Sequence, residues 1–161
     1  MATDVILRDY SPDDFEWLVD LHDHHYAEAE GFDDSFAPLV GSILRDFEER
    51  HDPIAERGWI AEQNGVRLGS IFCVRLNDST AKLRLFILAA DARGLGIGRR
   101  LLEACMGFAR DCGYAHMQLW THESHKAACA LYEAAGWRCT SSTPVHSFGV
   151  DLVEQTWEVA L

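Results

Sequence analysis

The sequence predicts an α/β (α+β) domain in which a mixed, mostly antiparallel seven-stranded sheet is flanked by four helices. Three observations predict it. Apolar residues recur at helical spacing in several segments. Two good hairpin signals, "QNG" and "NDS", separate three β-like runs. The elements also follow the order β, α, α, β, β, β, α, β, α, β, β, which points to a mixed sheet with helices packed on it. The chain has 161 residues, 48% hydrophobic and 25% charged, enough to bury one good core, and it shows no repeat or linker. All of 1–161 is therefore expected to be a single domain.

"DVILRD", residues 4–9, reads as a first strand. "SPDD" then supplies an N-cap serine, a proline at the first helical position and two carboxylates that suit the helix dipole. A helix is expected over 12–28. "GFDDSF" interrupts it, and a second helix over 36–50 carries Leu39, Ile43, Leu44 and Phe47 on one face. From Gly58 the period becomes β-like, and the three runs around "QNG" and "NDS" should be antiparallel neighbours. Leu101, Leu102, Cys105, Phe108, Ala109 and Cys112 mark the buried face of a third helix that ends near Gly113. "AHMQLWT" is a fifth strand, "HKAACALYEAAG" a fourth helix closed by Gly136, and "WRCTSS" and "LVEQTWEVAL" are two final strands.

Charge narrows the function classes. The formal net charge of -12 argues against phosphate-mediated nucleic-acid binding and against docking on anionic lipid. It would favour cationic substrates, and it also keeps a surface soluble. The N-terminal stretch has no basic region followed by an apolar run, and no apolar segment approaches the length of a membrane span, so a cytoplasmic protein is expected. Five scattered cysteines with no C-x-x-C pair read as reduced core residues. The five tryptophans sit in apolar patterns and read as core, with Trp120 also placed to line a pocket at the end of the fifth strand.

"ARGLGIGRRLL", residues 92–102, carries three glycines just before a helix. It is not a P-loop, because no Gly-Lys-Ser/Thr follows at the required spacing, and it is not a Rossmann fingerprint, because Arg99 stands at the sixth position. What survives is a segment whose backbone can approach a ligand closely, with helix N-terminal amides facing outward. Arg93, Arg99 and Arg100 add positive charge, which suits a diphosphate. The competing reading is a glycine-rich strand-to-helix connection with solvated arginines. "HDHHY", residues 22–26, invites a metal reading, since His22, His25 and Glu28 can share a helix flank. No Cys or second His pair completes a site, so no metal is expected.

These residues resemble the GNAT superfamily of N-acetyltransferases, whose acyl-CoA signature is Arg or Gln followed by x-x-G-x-G/A. Arg93, Gly96 and Gly98 match it, and "ALYEAAGW" is similar to the superfamily's L-Y-x-x-x-G-F. The element order is the GNAT order from end to end. A closer resemblance is to the acetyltransferase half of bacterial proteins that fuse a MarR-type winged-helix regulator to a GNAT domain. It is carried by "AKLRLFILAADARGLGIGRRLLE", "LWT", "HSFGVDLVEQTWE" and, more weakly, "YAEAEGFD". The residues leave no room for the regulator, so DNA binding is not expected.

The resemblance implies acetyl-CoA as co-substrate. The backbone of Phe86, Ile87 and Leu88 would pair with the pantetheine arm as an added strand, where strands four and five splay. Amides of Gly94, Leu95, Gly96, Ile97, Gly98 and Arg99 would hold the pyrophosphate. An N–H near Ile87 would face the thioester carbonyl. Tyr132 lies where these enzymes place the acid that protonates the CoA thiolate, and it also reads as an amphipathic core residue of the fourth helix. His125 stands where many members have a CoA-contacting asparagine. Histone-acetylating relatives carry a glutamate where this chain has Lys82, so a base, if one is needed, lies elsewhere. The candidates are Glu28, Glu30, His122, Glu123 and His146, with Glu28 and His146 preferred because both fall in stretches that resemble the closer family. The implied activity is direct acetyl transfer to a primary amine of a small molecule. The alternatives are a protein or peptide N-acetyltransferase and a non-catalytic acyl-CoA-binding regulatory module. Antiparallel edge strands near the C-terminus make a homodimer an expectation.

Overall fold

The computed structural model describes residues 4–161; the first three residues of the N-terminal stretch lie outside the described residues. Its strands are β1 Ile6–Asp9, β2 Arg57–Gln63, β3 Val66–Arg75, β4 Thr80–Leu88, β5 His116–His122, β6 Arg138–Ser147 and β7 Val150–Ala160. They form one sheet in the order β1-β2-β3-β4-β5-β7-β6. Four helices flank it: α1 Phe15–Glu30, α2 Phe36–Arg50, α3 Ile97–Asp111 and α4 Lys126–Ala134. Every neighbouring strand pair is antiparallel except β4 with β5.

The local chemistry expected of the connections is present. Asn64 and Gly65, with φ of 52° and 76°, make the β2–β3 hairpin turn. In the β3–β4 turn the Asn77 side-chain oxygen accepts the amides of Ser79 and Thr80 at 3.0 and 2.9 Å. The first helix opens as a 3-10 turn at Pro12–Asp14 and runs two residues beyond the expected end. Asp14 is fully buried, accepts the Ser11 amide at 2.9 Å, and is gripped by Arg8 from β1 and Arg67 from β3, each at 2.8 Å. Burial opposes ionisation, but these donors outweigh it and hold the Asp14 carboxyl down at about 2.

The largest difference from the sequence-based expectation is the C-terminal pair. The first of the two, expected only over "WRCTSS", runs on to Ser147, and β6 and β7 form a long hairpin through Phe148 and Gly149, whose φ values are 54° and 79°. Pro144 lies within β6, which is at the edge of the sheet, where a missing amide is tolerated.

The sheet is buried on both faces. Ile71, Leu83, Leu101, Met117 and Trp137 belong to the core on the α3 side, while Leu18, Val40, Leu44, Phe72 and Ile87 form a second cluster under α1 and α2. Trp59, Trp137 and Trp157 are core residues as expected, and Trp17 packs at the edge of the second cluster. Trp120 is not core, being 57% exposed. The cysteines also divide: Cys73 and Cys105 are buried, whereas Cys112 at the end of α3 and Cys139 on the edge strand are exposed.

Two irregularities of β4 create the site. Its parallel pairing with β5 covers only Thr80 to Lys82 against His116 to Gln118, after which the strands part. β5 stays paired with β7 as far as His122, so residues 83–88 and 119–122 face each other across a wedge. Within that stretch a β-bulge falls opposite Ser70 to Phe72, with Leu85 at φ 50° and its carbonyl accepting the Ser70 hydroxyl at 2.6 Å.

Candidate active site

The wedge opens into a cleft of about 800 Å³, a volume suited to a cofactor-sized ligand. Phe86, Ile87 and Leu88 line one wall, Tyr132 and Leu131 of α4 the other, and Arg93, Gly94, Gly96, Ile97, Gly98 and Arg99 close one end. The expected cofactor residues in 86–99 and at 125 therefore share one cavity, with a single exception. Leu95 stands apart: its side chain is 62% exposed and turns to solvent, so only its backbone remains available there.

The glycine segment divides its labour. Gly94 and Gly96 have φ of 80° and 75°, which bends the chain so that Gly96 caps α3. The first helical hydrogen bond there runs from the Arg100 amide to the Gly96 carbonyl at 3.2 Å. The amides of Ile97, Gly98 and Arg99 precede it and have no intrahelical partner, so they and the helix dipole offer an anion seat. Gly98 serves packing instead, because a Cβ there would lie 3.2 Å from Leu131 Cδ1 and 3.3 Å from Leu88 Cδ1. The arginines separate likewise. Arg93 donates to His25 Nδ1 at 3.0 Å, tying this loop to α1, Arg99 pairs with Glu103 at 3.0 Å, and Arg100 turns away to the Val5 carbonyl.

Tyr132 is both things the sequence allowed. It is 4% exposed, with its ring 6.1 Å from Phe86, 5.7 Å from Trp137 and 6.1 Å from Trp157, and it also lines the cleft. Burial pushes its hydroxyl well above the ordinary phenol range, so it stays protonated at neutral pH.

At the other end of the cleft α1 meets β5. Tyr26, Phe32 and Phe36 form an aromatic wall, which the β6–β7 turn buttresses through Phe148, 4.9 Å from Phe32, and a 2.9 Å bond from the Asp33 amide to the Phe148 carbonyl. Against this wall stand Glu30, His122 and His125. His125 Nδ1 is 3.1 Å from Thr121 Oγ1, its Nε2 lies 3.5 Å from Glu30 Oε1, and its ring centre is 5.2 Å from that of His122. Burial lowers both imidazoles, His125 to about 4, so both are neutral at pH 7.

The preferred bases are misplaced. The cleft-lining positions of α1 are 22, 25, 26, 29 and 30, and Glu28, which falls off that face, is exposed. His146 is an outward residue of the edge hairpin, its Nδ1 2.8 Å from Asp151. Glu123 is exposed and likewise outside the lining. Glu30 and His122 remain in the cleft. Lys82 sits 3.4 Å over the Trp120 ring, and burial brings its ammonium down to about 8. The ring nitrogens that invited a metal reading are engaged: His22 Nδ1 bonds the Leu18 carbonyl at 2.8 Å and His25 accepts from Arg93. Among the described residues no group of three His, Cys, Asp or Glu is placed to hold a metal ion. The sequence pattern did not disclose the aromatic wall or the Arg93–His25 link. "YAEAEGFDDSF" carried the signal for the wall, since its aromatics at 26, 32 and 36 straddle the α1–α2 junction.

A splayed parallel pair beside a bulged strand, with a glycine-capped helix N-terminus at the end of the wedge, gives one cleft a free strand edge and an anion seat. The chain belongs to the acetyltransferase (GNAT) family, whose model matches residues 8–137. Among curated proteins it is 32% identical over 93 residues to N-acetyltransferase 8B of Homo sapiens, covering 55% of this chain and 41% of that one. It is 31% identical over 98 residues to N-acetyltransferase 8 of Rattus norvegicus, covering 56% of this chain and 44% of that one. The chain thus spans less than half the length of these curated relatives. An acetyltransferase from Streptococcus agalactiae superposes with a TM-score of 0.81 at 26% identity, covering 98% of each chain. A Salmonella typhimurium structure, yncA, solved with its cofactor acetyl-CoA, has the same fold, with a TM-score of 0.78 at 18% identity over 99% of this chain and 95% of that one.

Proposed function

We propose that the protein transfers the acetyl group of acetyl-CoA directly to a primary amine of a small molecule. The observation that carries this reading is the single cleft joining the unpaired edge of β4, the free amides at the start of α3 and the Tyr132 phenol. Phe86, Ile87 and Leu88 would pair with the pantetheine arm, and amides from Gly94 to Arg99 would hold the pyrophosphate. When bound, acetyl-CoA would supply an activated acyl carbon. Tyr132 holds a proton at its hydroxyl for the departing thiolate, and the apolar walls of Phe86 and Leu131 keep water from the thioester. A small acceptor is favoured because its end of the cleft is walled by side chains from α1 and β5.

The resemblance to the acetyltransferase half of bacterial MarR fusions supports placing the enzyme in a bacterial cytoplasm. All five cysteines are unpaired, the pattern of a reducing compartment. Residues 1–161 act as one domain in this reading, and the C-terminal edge strand β6 would give a homodimer its surface.

The test is calorimetry with acetyl-CoA, followed by thiol release in the presence of a panel of primary amines and a lysine peptide. Micromolar acetyl-CoA binding with thiol release on small amines is expected. Absence of acetyl-CoA binding overturns the proposal. Binding without turnover on any amine would make the protein an acyl-CoA-binding module, and release on the peptide alone would make it a protein acetyltransferase.

A further inference from the structure

We propose that the end of the cleft between α1 and β5 is the acceptor site for primary amines bearing an aromatic or apolar substituent, with Glu30 seating the ammonium, His122 taking its proton, and His125 acting as a positioning residue for Glu30. This deepens the acetyltransferase reading above and rests on it.

Among the described residues Nδ1 of His122 and Nε2 of His125 are buried and have no hydrogen-bond partner, and both residues line the same cavity as the Leu85 bulge and Tyr132. A buried polar atom without a partner is costly, and two together at the end of one strand mark a place where a ligand completes the set. The third member is Glu30, whose side chain is only 14% exposed and whose Oε1 is 3.5 Å from His125 Nε2. With the Thr121 hydroxyl donating to His125 Nδ1, the proton of that ring would lie on Nε2, on the side of the carboxylate. His125 thus stands beside Glu30 without a hydrogen bond to it, in position to orient the carboxylate when a ligand draws the two together.

Charge selects the ligand. Glu30 faces His122 from α1 and Glu154 faces it from β7, both favouring a cation, whereas His125 from the start of α4 is neutral. Against this local negative charge the walls are aromatic: Phe32 stands 5.9 Å from His122, Tyr26 stands 5.1 Å from His125, and Trp120 lies exposed at the mouth. An ammonium on an aromatic or apolar stem meets both demands. Neutral His122 is already free to accept a proton, and the two carboxylates stabilise the imidazolium that forms.

Protons and electron pairs balance along the reaction. The bound ammonium gives one proton to His122 and becomes an amine. Its nitrogen attacks the thioester carbon, forming the N–C bond, and the C–S bond breaks with its electron pair going to sulfur. Tyr132 protonates the thiolate, the second nitrogen proton restores the phenol through solvent, and His122 releases its proton to water. The products are the amide, the CoA thiol and one proton.

The experiment measures thiol release against pH with 2-phenylethylamine, 1,4-diaminobutane and methylamine as probes, for wild type, His122→Gln, Glu30→Gln, His125→Gln and the double variant of Glu30 and His125. For wild type, 2-phenylethylamine should have the highest kcat/KM. His122→Gln should lose about 10²-fold in kcat/KM at pH 7 and recover most of it by about pH 9.5, where the free amine supplies its own neutral form. Glu30→Gln should raise the KM for amine about tenfold and leave that for acetyl-CoA unchanged. His125→Gln should raise the amine KM in the same direction, with no further rise in the double variant. A His122→Gln profile parallel to wild type would overturn the base assignment, and preference for 1,4-diaminobutane or methylamine would overturn the substrate class. Additive effects of Glu30→Gln and His125→Gln would remove the positioning role. If wild type binds acetyl-CoA yet turns over none of a wider amine panel, the transferase reading fails first and this one falls with it.

Discussion

Individual residues in this cleft serve packing and chemistry together, and substitutions that separate the two are informative. Tyr132→Phe keeps the ring that packs against Trp137 and Trp157 but removes the hydroxyl. The expected result is a fall of about 10²-fold in kcat with acetyl-CoA affinity changed by less than about twofold. Thiol release and calorimetry read the two quantities, and an unchanged kcat would take Tyr132 out of the mechanism. Gly96 is the reverse case, since a Cβ there would meet no neighbour within 4 Å but φ is 75°. Gly96→Ala should cost about 1–2 kcal/mol of backbone strain. The strain falls on the turn that aims the α3 amides, so acetyl-CoA should bind about tenfold more weakly while the thermal midpoint moves only a few degrees.

At the scale of elements, the sequence revealed those whose signals are local. "QNG" and "NDS" predicted the hairpins, and the glycine segment predicted the start of α3, because turn chemistry and caps are written in a few adjacent residues. Phe86, Ile87, Leu88 and Tyr132 came instead from the resemblance to the GNAT superfamily, since no local signal singles them out. Glu30 and His122 were among the candidate bases, but the preference for Glu28 and His146 was not sustained, because Glu30, His122 and His125 meet only through the placement of α1 against β5. The same limit hid the Asp14 cluster, which joins β1, β3 and the start of α1. Asp14→Asn leaves Arg8 and Arg67 without their shared carboxylate. Because both arginines remain about one-third exposed, solvent offsets part of the loss. The expected cost is about 2–3 kcal/mol, below the range for a fully buried pair. Urea unfolding should show it as a lower midpoint with an unchanged slope, whereas a shift under about 0.5 kcal/mol would mean the cluster is solvated in solution.

The whole molecule combines an acidic surface, at a net charge of -12, with neutral histidines held between the sheet and α1, and this combination sets its response to acid. His22 is 3% exposed; burial drives its imidazole from 6.5 down to about 4, despite the bond to the Leu18 carbonyl. Above pH 6.5 folded and unfolded chains are both neutral at this residue, so its contribution is constant. Between 6.5 and 4 the unfolded chain binds a proton that the folded chain refuses, and stability falls as pH falls. At about pH 5 the loss from His22 alone is about 2 kcal/mol. His125, also held at about 4, works in the same direction and window. Asp14 acts later: its stabilisation is complete above the ordinary carboxylate value of 3.8 and disappears only as pH drops towards about 2. Acid unfolding should therefore proceed in two stages, an early loss of stability beginning near pH 6.5 and a second below about pH 4. His22→Gln, followed by urea titration at about pH 7 and about pH 5, should reduce the difference between the two by about 2 kcal/mol, and an undiminished difference would show that the early stage has another origin.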